Sequence, residues 1–220
     1  MLFAAGLNYG SVWPKRTIPS VIRVLSGSIR GRKTPFVAAL ERSEEKSRGR
    51  HEGRCLLRCV NKNTTELLAA DAFPRRARLE DLPDIAKIHR IAFCRAMPHL
   101  PILHTPAEDL NFYSTAVFPH AELRLLEWSG MVVGFIAFRS GWVEHLYIHP
   151  ECQRRGLGSR LLEVAQESSE VLRVWTFQAN AGARAFYEKH GFEVERETNG
   201  ARNEEREPDV LYFWRREVVG

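Results

Sequence analysis

The sequence predicts an α/β domain over residues 74–220, built on a mixed, mostly antiparallel sheet with helices on both faces. Strand-like runs rich in β-branched and aromatic residues alternate with runs of helical periodicity, in the order β-α-α-β-β-β-α-β-α-β-β. Two of these strands join through a tight Ser129-Gly130 turn, which is typical of an antiparallel hairpin. Another strand leads through a glycine-containing turn into a helix.

Residues 1–73 differ in composition from the rest and are predicted to form a disordered basic extension. They hold 13 Lys/Arg and 6 Asp/Glu, a net charge of +7, whereas residues 74–220 hold 19 and 21, a net charge of −2. Residues 1–40 contain no acidic residue and resemble a transit peptide in composition, but basic residues interrupt any apolar core of a signal peptide. A targeting role and a short helix near residues 56–68 stay open as alternatives.

The N-terminal part of the domain is predicted to contain one strand and two helices. Glu80-Asp81 before Leu82-Pro83 forms a cap with proline in the first turn of the first helix. Thr105-Pro106-Ala107-Glu108 is a capping box that opens the second helix. The predicted elements are a strand at Arg76–Leu79 and helices at Leu82–Ala92 and Thr105–Val117.

The remainder of the domain is rich in strands. Ser140-Gly141 leads into the strand before the glycine-containing turn, and Gly191 is expected to cap a helix at its C-terminal end. The predicted strands are Ala121–Trp128, Met131–Arg139, Trp142–Ile148, Val171–Phe177, Phe192–Glu197 and Val210–Arg215. The predicted helices run from the turn to about Ser168 and from Ala181 to His190.

The turn after the strand Trp142–Ile148 is a candidate anion site. A glycine turn from a strand into a helix exposes N–H groups at the positive end of the helix dipole, where a phosphate binds. The dinucleotide fingerprint needs a third glycine and a P-loop needs Gly-Lys-Ser/Thr, and the turn has neither. What remains is Gln-x-x-Gly-x-Gly, with an ordinary corner as the alternative. The loop residues are Gln153, Arg154, Arg155, Gly156, Leu157, Gly158 and Ser159.

A second motif lies one strand further along the chain, at Asn180–Phe192, and reads Asn-Ala-Gly-Ala-Arg-Ala-Phe-Tyr-Glu-Lys-His-Gly-Phe. The two motifs resemble the signatures of the GNAT-type N-acetyltransferase superfamily, Gln/Arg-x-x-Gly-x-Gly/Ala and Asn-x-x-Ala-x-x-Phe-Tyr-x-x-x-Gly-Phe, in the family's order and spacing. The resemblance covers about residues 75–216 and implies a GNAT fold.

The resemblance implies an enzyme that moves an acetyl group from acetyl-CoA directly to a primary amine in a ternary complex. The loop amides would hold the pyrophosphate, Asn180 would contact the pantetheine arm, and Tyr187 would protonate the departing thiolate. Backbone groups of Leu146, Tyr147 and Ile148 would pair with the pantetheine and polarise the thioester carbonyl. Structural roles stay open, as a helix N-cap for Asn180 and as a buried tyrosine with a satisfied hydroxyl for Tyr187.

The group that takes the proton of the amine is not unique in the sequence. Glu144 lies nine residues before the loop glutamine, where some members of the family carry a glutamate base. Strand alternation sends Glu144 and His145 to opposite faces, and Glu144 is favoured over His145. His99 and His104 are further candidates. No covalent nucleophile is required, and Cys152 is expected to be structural because it lies beside the phosphate loop.

The predicted acceptor is a small-molecule or protein amine, whose identity depends on variable loops. No apolar run approaches the length of about 18 residues that spans a bilayer, so no membrane partner is expected. A mildly acidic domain counts against nucleic acid. Four cysteines without zinc-like spacing favour a reducing, cytoplasmic setting with no metal site. Many relatives pair as dimers, so a homodimer stays open. The alternatives are an acyl-CoA-binding regulatory module without turnover and a nucleic-acid binder that uses the leader.

Overall fold

The computed structural model describes residues 73–217, and the predictions for the leader before Phe73 lie outside them. The described elements follow the predicted order. The strands are β1 Arg75–Arg76, β2 Glu122–Trp128, β3 Met131–Arg139, β4 Trp142–Ile148, β5 Val171–Phe177, β6 Glu193–Glu197 and β7 Asp209–Arg215. The helices are α1 Leu82–Ala96, α2 Pro106–Phe112, α3 Leu157–Glu167 and α4 Ala181–Lys189.

The strands form one mixed sheet in the spatial order β1-β2-β3-β4-β5-β7-β6. Every neighbouring pair is antiparallel except β4 and β5, which run parallel because α3 connects them. Strand β6 forms one edge, and all five of its residues are exposed. Its charged sequence Glu-Val-Glu-Arg-Glu keeps that edge from pairing with other chains.

Strands β4 and β5 diverge along most of their length. The one pair of residues in register is Trp142 with Arg173, at the start of both strands, and the Arg173 N–H donates to Gly141 C=O at 2.7 Å. Beyond this point the edge of β4 that faces β5 pairs with no other strand of the described chain. The sheet therefore contains a wedge-shaped gap, and unpaired backbone groups in such a gap can bind an extended ligand.

A β-bulge interrupts β4 next to this gap. Ala137 pairs with His145 and Phe138 pairs with Val143, so Glu144 is an extra residue that the β3–β4 register skips. The extra residue breaks the simple alternation expected from the sequence, and Val143 and His145 consequently lie on opposite faces of the sheet. Bulges of this kind bend a strand and re-aim its side chains near functional sites.

The helices start where the sequence predicts. Asp81 occupies the N-cap position of α1, although its carboxylate makes no capping hydrogen bond to that helix. The Thr105 hydroxyl accepts the N–H of Glu108 at 3.3 Å and the Glu108 carboxylate accepts the N–H of Thr105 at 2.7 Å, which completes the capping box of α2. One π-helical turn at Tyr113–Val117 extends α2 to its predicted end. Apolar residues of α1, among them Ile85 at 0% exposure, enter the core.

The first strand is the clearest correction to the predicted elements. It was expected at Arg76–Leu79, but it occupies Arg75–Arg76, and Leu79–Asp81 forms a 3-10 turn. The cause is Asp81, whose carboxylate accepts from the Arg75 guanidinium at 2.8 Å and from the Arg78 N–H at 2.7 Å. These bonds draw the chain out of the sheet. In the part of the chain described here, no helix is long and apolar enough to cross a bilayer.

Candidate active site

The loop before α3 presents a row of backbone N–H groups. Within residues 73–217, no hydrogen-bond acceptor contacts the N–H groups from Arg154 to Ser159. Gly156 is the N-cap of α3, and an added Cβ at this position would meet no atom within 4 Å. The amides therefore face open space at the positive end of the α3 dipole, which is the arrangement expected for an anion site.

Two features hold this loop in shape. The Gln153 side chain donates from Nε2 to the Ile148 C=O at 3.0 Å, which ties the loop back to the end of β4. Arg154 and Gly156 both adopt left-handed backbone conformations, with φ of 63° and 76°. Glycine takes this conformation without strain, which explains the glycine at position 156. The left-handed turns direct successive amides towards the same side of the loop.

Positive charge accompanies the amides. A buried Nη1 of Arg155 has no hydrogen-bond partner among the described residues. Arg160, on the first turn of α3, lies 5.4 Å from the centroid of the Phe73 ring. Cys152 is 1% exposed, and burial raises the pKa of its thiol to about 11, which fits the structural role predicted for it.

The Ser159 hydroxyl serves a structural purpose. Its Oγ lies 2.8 Å from Nε2 of His190, and Nδ1 of the same ring lies 2.7 Å from the Phe186 C=O. These partners assign the proton to Nδ1, because the carbonyl can only accept, so Nε2 accepts from the Ser159 hydroxyl. The contact joins α3 to the end of α4 and leaves only the Ser159 amide to face the loop.

Asn180 caps α4 with its side-chain oxygen and keeps one buried donor without a partner among the described residues. Its Oδ1 accepts the N–H of Ala183 at 3.1 Å, which caps α4. Its Nδ2 is buried and has no hydrogen-bond partner within the described residues, and the whole residue is 2% exposed. An unpaired buried donor costs about 1–3 kcal/mol. Asn180 can therefore donate to a carbonyl that lies at the C-terminal end of β5.

Tyr187 is buried, but its hydroxyl is not satisfied. The residue is 0% exposed and its ring packs against Phe186, Phe192 and Tyr212 at centroid distances of 5.3, 5.4 and 6.2 Å. The hydroxyl has no hydrogen-bond partner among the described residues. Burial, reinforced by nearby Tyr147, raises the pKa of Tyr187 well above its ordinary value, so the phenol stays protonated at neutral pH.

Leu146, Tyr147 and Ile148 are all buried and form the last part of β4, beside the gap. The Tyr147 ring lies within a buried cluster of imidazoles and phenols that joins β4 to α1 and α2. Neighbouring rings are separated by 4.7–6.2 Å between centroids, and the members are His89, Tyr113, His145 and Tyr147. The cluster sets the wall of the gap on the α1 side.

The candidate bases occupy different environments. Glu144, the bulged residue, has Oε1 2.5 Å from Nε of Arg139, so one oxygen is held by a guanidinium. Burial lowers the pKa of His145 to about 3, which makes its neutral ring a weak proton acceptor. His99 and His104 contact carboxylates of the segment between β6 and β7, at 3.3 Å from Glu207 and 3.0 Å from Glu204.

Sequence reasoning missed two groups on the α1 side. Arg90 and Glu205 line a pocket between α1, residues 101–104, Asp109 and the segment that joins β6 to β7. Arg90 is on the buried side of α1 and donates to the His104 C=O at 2.6 Å. Glu205 sits in a charged segment that the sequence presents as a solvated loop. Asn203, two residues earlier, is buried and holds this loop in place, and no pattern in the sequence signals that packing.

The chain is similar to acetyltransferases in sequence. Residues 119–194 match the family model described as Acetyltransferase (GNAT) domain. The peptidyl-lysine N-acetyltransferase YiaC of Escherichia coli is 28% identical over 80 residues, which cover 36% of this chain. The chain spans 55% of the length of YiaC.

The fold is also similar to solved structures. YjaB of Escherichia coli in its apo form aligns with a TM-score of 0.55 at 22% identity, over 64% of this chain and 96% of YjaB. The PaiA N-acetyltransferase of Thermoplasma acidophilum, solved in complex with coenzyme A, aligns with a TM-score of 0.53 at 17% identity, over 66% and 99% of the two chains. Residues 119–194 therefore match the GNAT acetyltransferase domain model, and the fold of the described residues is similar to that of the GNAT acetyltransferases with which it aligns.

Proposed function

We propose that this protein is an acetyl-CoA-dependent N-acetyltransferase that transfers the acetyl group directly to a primary amine. The observation that carries the proposal is the row of N–H groups from Arg154 to Ser159, which have no acceptor among residues 73–217 and lie at the N-terminus of α3, next to the gap between β4 and β5. The PaiA structure, which has a similar fold, contains coenzyme A. A diphosphate on the loop would place the pantetheine arm along the unpaired edge of β4.

The residues around the gap fit such an arm. Backbone groups of Leu146, Tyr147 and Ile148 on the edge of β4 that faces β5 can bind amide groups of pantetheine as an added strand would. Asn180 supplies the buried Nδ2 donor described above. An N–H of β4 that faces the gap can polarise the thioester carbonyl and stabilise the oxyanion that forms on it.

The reaction then needs one proton acceptor and one proton donor. The amine nitrogen attacks the thioester carbonyl, a C–N bond forms, the C–S bond breaks, and the nitrogen loses a proton. Tyr187 gives its phenolic proton to the departing thiolate and later regains one from solvent. Burial raises the proton affinities of the phenol and the thiolate together, because both are anions when deprotonated, so the transfer between them stays feasible. Since Tyr187 is fully covered, this role requires the gap to widen when the thioester enters.

The proton acceptor remains a choice between carboxylates. Glu144 is the group that the sequence predicts, and to act it must exchange its contact with Arg139 for the amine or for a bridging water. A second carboxylate, on the segment between β6 and β7, is considered below. Placing the amine and the thioester in one groove contributes several kcal/mol, on the order of 7 or more for well-oriented reactants, with no covalent intermediate.

The acceptor is proposed to be a small-molecule amine or a protein amine. YiaC, which is similar over 80 residues, is named as acting on peptidyl lysine. We place the reaction in the cytoplasm, because Cys94 and Cys152 are both free thiols. A homodimer remains compatible with this function.

The test measures release of free CoA thiol by the full-length protein with acetyl-CoA and a panel of primary amines. Calorimetry with CoA alone provides the separate measurement of cofactor binding. Turnover with at least one amine supports the proposal. Binding of CoA without turnover across the panel would instead support the acyl-CoA-binding regulatory module, which needs the loop but has no use for the Tyr187 hydroxyl.

A further inference from the structure

A pocket on the α1 side of the domain is not used by the chemistry proposed so far. Among the described residues it is lined by α1, by the segment after α1, by Asp109 of α2 and by Glu205. Asn203 holds the Glu205 segment in place, because its side chain donates to the Glu207 C=O at 2.7 Å and to the Asp209 carboxylate at 3.1 Å. The pocket is therefore bounded by ordered elements on both sides.

The pocket lies over the open end of the gap between β4 and β5. Two of its lining residues, His89 and Phe93, are one turn apart on α1. The His89 ring is 4.7 Å from the Tyr147 ring of β4, and the Phe93 ring is 6.3 Å from the Phe177 ring at the end of β5. A molecule in this pocket is consequently one aromatic ring away from both strands that flank the proposed pantetheine site.

The charges of the pocket do not cancel. Arg90 Nη2 lies 2.5 Å from the Asp109 carboxylate, so these two groups neutralise each other. Burial lowers the pKa of His89 to about 4, so its ring is neutral at pH 7. Glu205 has no side-chain partner among the described residues, which leaves one negative charge inside the pocket.

The other carboxylates of the same segment are used differently. Glu204 lies 3.0 Å from His104 and Glu207 lies 3.3 Å from His99, so both contact the segment after α1. Both histidines are about half exposed in these contacts, so water screens the two pairs and they contribute little to the shape of the pocket. Glu205 is the acidic residue between them that turns inward, and it is half-buried.

The rim of the pocket is apolar. Ile102 is 63% exposed and Leu103 is 43% exposed, and both line the pocket beside Pro101. Apolar side chains left in water next to one buried carboxylate complement a ligand with an aliphatic stem and a positive end. A polyhydroxylated amine would leave this rim uncovered.

We propose that Glu205 receives the acceptor as a primary alkylammonium ion and removes the proton that must leave before transfer. The proton moves from the nitrogen to a carboxylate oxygen of Glu205, and the freed lone pair attacks the thioester carbonyl. The aliphatic stem lies against Ile102 and Leu103. The inference rests on the proposed acetyltransferase function and adds its acceptor class and its base.

Electrostatics supports this assignment. Burial raises the pKa of Glu205 above its ordinary value and the charges of Glu204 and Asp209 add to this, whereas a hydrogen bond from its own N–H and the nearby His104 oppose it. The net rise in pKa makes Glu205 a better proton acceptor than an exposed carboxylate. The negative charges of Glu205 and Asp109 also contribute to the raised pKa of Tyr147, and Tyr147 in turn contributes to that of Tyr187.

The test compares Glu205→Gln with Glu204→Gln in the full-length protein. The second variant removes the same charge from the neighbouring residue, at a side chain that is 59% exposed. Acceptors are Nα-acetyl-lysinamide, a lysine-containing peptide, pentylamine and aniline, which is uncharged at pH 7. Binding of pentylammonium to the CoA complex, measured by calorimetry, gives a readout that does not need turnover.

We expect Glu205→Gln to lower kcat/KM for the alkylamines by about 100-fold at pH 7, as for loss of a general base, and to weaken pentylammonium binding. The loss should shrink as pH approaches the pKa of the amine, and aniline should be affected much less. Glu204→Gln should stay within about 3-fold of the wild type. CoA binding and the melting temperature should be unchanged in both.

The outcomes separate the two proposals. Turnover or pentylammonium binding that is equal in wild type and Glu205→Gln overturns the inference and leaves the acetyltransferase function standing. Loss of activity in Glu144→Gln but not in Glu205→Gln would likewise overturn the inference and leave the acetyltransferase function standing. Failure of the wild type to bind CoA would contradict the proposed function. The role of Glu205 in binding the ammonium ion would then be tested by comparing pentylammonium binding to the free wild type and to the free Glu205→Gln variant. Acetylation of the peptide but not of pentylamine identifies a protein lysine as the source of the alkylammonium, and acetylation of both identifies a broad alkylamine specificity.

Discussion

Replacing Tyr187 by phenylalanine should stabilise the protein and damage the enzyme at the same time. The hydroxyl is buried without a hydrogen-bond partner among the described residues, so in the folded chain it loses its contact with water and gains nothing. The proposed acid role gives it a partner only when a thiolate departs. Stability and turnover should therefore change in opposite directions.

The magnitudes follow from the environment of the hydroxyl. An unsatisfied buried polar group costs about 1–3 kcal/mol, so Tyr187→Phe should raise the free energy of unfolding by about 1–2 kcal/mol. For a domain of about 150 residues this corresponds to a melting temperature higher by roughly 3–6 °C. Loss of a general acid should lower kcat by about 100-fold or more.

Two other tyrosines provide matched controls. Tyr113 is also 0% exposed and its hydroxyl has no hydrogen-bond partner among the described residues, so Tyr113→Phe should raise stability. Because Tyr113 contributes to the wall of the gap but is not the proposed acid, the change should lower kcat far less than Tyr187→Phe does. The Tyr212 hydroxyl donates to the Glu188 carboxylate at 2.6 Å and accepts from Arg184 Nε at 3.2 Å. Tyr212→Phe should therefore cost about 1 kcal/mol of stability.

The assays are thermal unfolding of each variant and single-turnover kinetics at saturating acetyl-CoA. A Tyr187→Phe variant with full kcat would refute the acid role. A variant that melts several degrees below the wild type would show that the hydroxyl is satisfied in the folded protein, which would contradict the energetic reasoning.

Three further perturbations test other parts of the structure. Gly200→Ala should destabilise the domain by more than Gly130→Ala. Both glycines have a φ of 74°, but only a Cβ at position 200 would clash with another residue, since it would lie 2.3 Å from the Glu207 carbonyl oxygen. Equal melting temperatures of the two variants would contradict this close approach. The free energy of unfolding should fall as pH drops from 6.5 towards 3. In this range His145 binds a proton in the unfolded state, whereas in the folded state the buried ring stays neutral until its pKa of about 3. This histidine alone should account for about 2 kcal/mol between pH 7 and pH 5, and His145→Phe should flatten that part of a denaturant-monitored pH profile. Gln153→Ala should remove the bond to the Ile148 C=O, cost about 1 kcal/mol and weaken CoA binding in calorimetry, whereas an unchanged affinity would show that the loop holds its shape without this tether.

The order of the elements could be predicted because its signals are local. Turns such as Ser129-Gly130, the capping box at Thr105 and the cap at Asn180 each act on their immediate neighbours, and the structure confirms all three. The two motifs likewise fall where strand-to-helix turns place their backbone amides. The short first strand was wrong in its bounds because Asp81 bonds to Arg75, a contact that the strand pattern does not encode.

The rest of the site depends on pairing between distant segments. The bulge at Glu144 arises from the register of β3 against β4, and the contact of Glu144 with Arg139 follows from it. The role proposed for Glu205 depends on the segment after β6, which contacts His99 and His104 in the segment after α1, 100 residues or more away along the chain. Neither arrangement leaves a periodic trace in the sequence.

Because β4 and β5 separate after Trp142, the sheet consists of two parts that pair with each other at one end only. A thioester arm bound between the two parts would bridge them, so binding of the substrate should stabilise the whole domain. Amide protons along the inner edge of β4 should exchange rapidly in the free protein and slow sharply once the arm is in place. Binding of the arm in the groove should then determine the resistance of the domain to thermal unfolding and proteolysis, as well as its rate of turnover.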